Sequence, residues 1–121
     1  MKFKIEVVGD VLRAEVSERE TADEARQFFE AIMAEREKTG ALSILIMVRD
    51  SRPLYKVEDY QLSHWIERVK AIPGLRVAGV AHERDLKSAQ DYVTLLASQR
   101  DAPMRNFPSE AQAISWLREP R

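Results

Sequence analysis

The chain has no cysteine among its 121 residues, which excludes disulfides, a thiolate nucleophile and any zinc site with cysteine ligands. Glycine is scarce: the four present, Gly9, Gly40, Gly74 and Gly79, are too far apart to form a phosphate-cradling loop. The only histidines, His64 and His82, do not have metal-ligand spacing. Neither sign of charge dominates. Lys and Arg total 19 against 20 Asp and Glu, a net charge of -1, so no overall field favours nucleic acid or an anionic membrane. The start, MKFKIEVVGD, lacks the apolar core of a signal peptide, and no apolar run approaches the ~20 residues of a membrane helix. These absences predict a cytoplasmic protein with no cofactor, no metal, no nucleic-acid partner and no membrane span.

Hydrophobic residues make up 45% of the chain, and their spacing carries the fold. The length fits a single domain over residues 1–121. Its organising stretch is Leu42 to Val48, LSILIMV, apolar except at Ser43 and set between Gly40 and the polar group Arg49-Asp50-Ser51-Arg52. A short, continuous, β-branched-rich run of this kind predicts a strand buried on both faces of an α/β sheet.

Before it, Lys2 to Val8 alternates, with Phe3, Ile5 and Val7 on one side. Gly9-Asp10 then turns the chain into Val11 to Val16, a hairpin pattern. Thr21 and Glu24 form a capping-box pair for a helix from Ala22 to Lys38, stopped at Gly40. After the central strand, Pro53 breaks any helix, and a helical period resumes from Glu58 to Ile72 through Leu62, Trp65, Ile66 and Val69. Leu75 to Ala81 reads as a strand whose Gly79 predicts close approach of a helix or ligand. A helix from Asp85 to Arg100, an edge strand from Met104 to Phe107 and a helix from Glu110 to Leu117 with Ser109 as N-cap complete the order. The expectation is a mixed sheet of about five strands with four helices, β-β-α-β-α-β-α-β-α, parallel after the hairpin.

In such sheets ligands usually bind beyond the carboxyl ends of the strands, near a topological switch point. That edge would collect Arg49, Asp50, Ser51 and Arg52 after the central strand, and His82, Glu83 and Arg84 after the next. Leu54 and Tyr55 are apolar residues in the polar loop between, expected first to fold back over the end of the sheet and, as the functional alternative, to form a lid over a hydrophobic pocket or a partner patch. Asp50, Ser51 and His82 lack the nucleophile elbow of a hydrolase, so an enzyme ranks last. Trp65 and Trp116 border apolar stripes and read as core residues, and His64 reads as a surface histidine.

The element order, with VSERETADEARQFF, ILIMV, LRVAGVAHE and the ending MRNFPSEAQAISWL, resembles the SpoIIAA-like branch of the STAS superfamily. That resemblance implies a small sheet with helices on one face, acting as a non-enzymatic interaction or regulatory module of bacterial type that binds a protein partner or itself. The branch is also similar in topology to CRAL-TRIO domains, which implies the alternative of a carrier for a small apolar or amphipathic ligand. Arg49, Arg52 or Arg84 would then receive an anionic head group in a pocket of several hundred Å³, the usual scale of roughly 300–1,000 Å³. One departure stands out: Val57-Glu58-Asp59 occupies the place of the family's Asp-Ser-Ser-Gly-like turn, so the phosphoserine switch does not carry over. The nearest hydroxyls, Ser51 and Ser63, lack that context.

Overall fold

Gly9 has a φ of 63°, and glycine at the first central position of a two-residue link is the mark of a type II′ hairpin turn. It joins β1 (Lys2–Val8) to β2 (Val11–Ser17) in an antiparallel pair. Thr21 then caps α1 (Ala22–Thr39). Its hydroxyl accepts from the Glu24 amide at 3.1 Å while the Glu24 carboxylate accepts from the Thr21 amide at 3.2 Å. The helix ends at Gly40, left-handed at φ 70°, as only a residue without a Cβ readily does.

In the computed structural model the chain continues through β3 (Ser43–Arg49), α2 (Leu62–Lys70), β4 (Arg76–Ala81), α3 (Arg84–Gln99), β5 (Met104–Phe107) and α4 (Glu110–Leu117). The structure describes residues 1–52 and 62–120. The expected strands and helices are all present, with ends displaced by a residue or so, apart from the second expected helix. That helix is seen from Leu62 to Lys70, and its expected start at Glu58 lies outside the described residues.

The strands lie in the order β1-β2-β3-β4-β5, parallel from β2 onward. Each crossover therefore steps one strand in the same direction. Connections of one hand that advance one way place their helices on one face. Accordingly Phe28 and Ile32 of α1, Val69 of α2 and Leu86 of α3 share a core with Leu12, Ile44 and Val77. The last helix departs from the one-sided arrangement implied by the family resemblance. Ala113 and Leu117 of α4 pack on the opposite face against Val11, Leu45, Met47, Ala78 and Val80. A steadily advancing order also contains no reversal, so the switch point expected to mark the site does not exist in this topology.

β3 is buried on both faces because each face has its own cover. Residues 44, 46 and 48 face α1 to α3, and residues 43, 45, 47 and 49 face the α4 side, since a strand alternates with period two. Ser43, the one polar residue of the apolar run, is buried and donates to the Leu117 carbonyl at 3.3 Å, an acceptor left over at the end of α4. No helix among the described residues is long and apolar enough to cross a membrane.

Candidate functional site

Between the sheet and the three helices on its first face lies a cavity of about 100 Å³. Its walls come from the even positions of β3, Ile44, Ile46 and Val48, and from Phe29, Trp65 and Ala89 of the helices above. One water needs only ~10–15 Å³ on this measure, whereas pockets for drug-sized ligands span ~300–1,000 Å³. The space therefore suits a compact molecule and is smaller than the pocket a lipid-like carrier requires.

The lining is apolar with a few polar atoms. Trp65 is 7% exposed, as a core residue should be, yet its buried indole Nε1–H has no acceptor among the described residues. Gln90 of α3 likewise holds its Oε1 buried without a donor among the described residues. This oxygen explains Gly79. A Cβ there would lie 2.8 Å from Gln90 Oε1 and 2.7 Å from Asn106 Oδ1, so the close approach expected at this glycine is made by two amide side chains. Buried polar atoms without partners are uncommon and costly, typically ~1–3 kcal/mol each.

Arg19, in the turn between β2 and α1, is 4% exposed and also lines the cavity. Its guanidinium donates to the Arg52 carbonyl at 2.6 Å. It was not among the residues the sequence pointed to. The carboxyl edge receives a loop from β2 as well as from β3 and β4. The pairing of Ser17 with Arg49 sets residues 18 and 19 beside residues 50 and 51.

The expected site residues separate into different roles. Arg49 lies on the α4 face, away from the cavity, where its Nη2 meets the Glu15 carboxylate at 2.6 Å. Strand parity puts it there. Glu15 also accepts from Arg13 at 2.9 Å, and Arg13 reaches Glu110 at 2.6 Å. Arg13, with help from Arg49, holds the Glu15 carboxyl below the usual carboxylate range. Asp50 adopts a left-handed φ of 47°, beside Glu18 at φ 58°, and the Glu18 amide donates to the Asp50 carbonyl at 3.0 Å. The Asp50 amide in turn donates to Glu83 at 3.0 Å, which keeps the Glu83 carboxyl low.

Ser51 is occupied as a loop brace: its hydroxyl donates to the Arg49 carbonyl at 2.8 Å and accepts from the Arg19 amide at 3.2 Å. No hydrogen bond joins it to His82. Arg52, His82 and Arg84 are exposed on the same edge. Leu54 and Tyr55 lie outside the described residues. His64 is exposed, with its ring 5.7 Å from that of Trp65. Trp116 is half-buried on the far face, packed on Phe107.

Among the described residues no cluster of three metal-ligating side chains occurs. No family model, curated protein or solved structure matches the chain.

Proposed function

We propose that the protein is a non-enzymatic, cytoplasmic binding module of STAS-like type that takes a compact, mainly apolar molecule into the cavity beside β3. The carrying observation is the pair of buried polar atoms, Trp65 Nε1–H and Gln90 Oε1, that find no partner among the described residues and belong to side chains lining a mainly apolar space that Arg19 also borders. A small ligand with a hydroxyl-like group, able both to accept and to donate, answers both atoms. Its apolar body replaces the contacts that an empty wall lacks. The cavity size argues for a single ring or short branched chain over a long acyl chain.

The resemblance to the STAS superfamily gives this module a regulatory use, with occupancy altering what it binds. The exposed residues Arg52, His82 and Arg84 at the carboxyl edge suit such a partner surface.

Phenol and toluene titrated into the ¹⁵N- and methyl-labelled protein test the reading. Phenol is expected to shift the Trp65 indole N–H and the Ile46 and Val48 methyls saturably, with toluene moving the methyls alone. The Trp116 indole, on the other face, serves as the control. Lining methyls that stay unmoved by either compound up to its solubility would sink the proposal.

A further inference from the structure

β1 ends the sheet on the side opposite β5, and one of its edges pairs with no strand among the described residues. It carries three of the large hydrophobic residues left exposed, Phe3 at 44%, Val7 at 54% and Val8 at 45%. A seven-residue edge of this kind presents a row of backbone donors and acceptors to any strand that fits. The hairpin fixes which groups point outward. Across a two-residue link the flanking Val8 and Val11 form a hydrogen-bonded pair, and such pairs alternate. The amides of Phe3, Ile5 and Val7 therefore face away from β2.

We infer that β1 is a self-association strand, pairing antiparallel with β1 of a second copy about a two-fold axis through Ile5. The sequence of the strand selects this register. With Ile5 opposite Ile5 of the second copy, Phe3 meets Val7, and all three outward-facing residues exchange backbone hydrogen bonds. Lys4 then stands opposite Glu6 twice. Shifting the pairing by two in one direction sets Lys4 against Lys4, and in the other it sets Glu6 against Glu6. Odd shifts would oppose inward- to outward-facing amides.

The Lys4–Glu6 pairs fall at non-hydrogen-bonded positions, where side chains approach most closely. In the single chain these two side chains already lie 3.4 Å apart along the same strand, and Glu6 keeps its other carboxylate oxygen 4.0 Å from Arg13 of β2, so Lys4 can pair across the axis without leaving a deeper partner. Lysine on an edge strand ordinarily blocks sheet extension. Here the glutamate two positions on converts that block into a register lock. The contact is isologous, so it closes at two copies.

Sedimentation equilibrium over a wide concentration range tests this, with circular dichroism as the folding control. The wild type is expected to dimerise. Lys4→Glu and Glu6→Lys each set like charges opposite one another twice and are expected to weaken the dimer by roughly tenfold or more. The double variant Lys4→Glu/Glu6→Lys restores the pairs and is expected to recover wild-type association. A wild type that stays monomeric, single variants that dimerise unchanged, or a double variant that fails to recover would each overturn the inference.

Discussion

Ala89→Leu would fill the cavity from α3 and measure how much stability its emptiness withholds. Ala89 is buried, faces the void and sits inside a helix, where alanine and leucine differ little in propensity. Cavity formation costs roughly 24 cal/mol per Å³, so a void of about 100 Å³ leaves about 2 kcal/mol unrealised. The three added carbons gain about 0.8 kcal/mol each on burial, and fixing the leucine rotamer returns about 0.5–1 kcal/mol of this. A tightly packed site would instead lose about 1–3 kcal/mol to overpacking, so the sign of the change reports whether the space is real.

The expected gain is about 1.5–2 kcal/mol, a rise in Tm of roughly 5–12 °C for a domain of this size. Urea denaturation should show a higher midpoint with an unchanged slope. Phenol binding should be lost in the same variant, because leucine occupies the volume that the ligand needs. Destabilisation by more than about 1 kcal/mol, on the overpacking scale, together with unchanged phenol shifts would refute the reasoning.

Two further outcomes follow from the carboxyl edge. Glu15 and Glu83 both hold their protons less tightly in the folded chain than in the unfolded one. Their stabilisation is thus complete above the ordinary carboxylate range and is lost as pH falls through the lower folded values. Glu15→Gln should lower stability near neutrality and converge with the wild type in acid, read from urea midpoints across that range. A constant offset at every pH would contradict this. Ser51→Ala removes the acceptor of the Arg19 amide and should cost about 1–2 kcal/mol of unfolding free energy. It should leave hydrolysis of p-nitrophenyl esters no different from wild type. Turnover present in the wild type and absent in the variant would restore the enzymatic reading.

Much of the scaffold was legible because it rests on periodicity and on caps. The Thr21–Glu24 box, the Gly40 stop, the Ser109 cap and the edge position of Met104–Phe107 follow from local chemistry that the tertiary structure had no reason to override. The candidate site was less legible, for two physical reasons. Parity along β3 already separated Arg49 from Val48, but the face that would hold a cavity depends on which helices cover it. That in turn depends on the direction of successive crossovers. Arg19 was hidden for a related reason. It is a polar residue in a turn, and only the parallel pairing of β2 with β3 brings that turn beside residues 50 to 52. The partnerless Trp65 Nε1–H could not be read at all, since an apolar stripe reports that a tryptophan is inward and not what its one donor meets.

The central strand thus presents two different environments through alternate residues. Leu45 and Met47 hold α4, and Ser43 satisfies that helix's terminal carbonyl, so the odd side of β3 is committed to structure. Arg49 continues that side into an ion-pair network with Glu15, Arg13 and Glu110 that ties the strand end to the start of α4. The even side, Ile44, Ile46 and Val48, faces three helices whose described residues leave a cavity over it. A helix layer packed at native density would have filled this space at little cost, because Ala89 and Gly79 are small residues at its border. At Gly79 the room is taken by two amide oxygens instead of carbon, and one of them lacks a donor. Unfilled volume and unmet hydrogen bonds in the same wall are two independent costs. A single small ligand with a hydroxyl would relieve both at once.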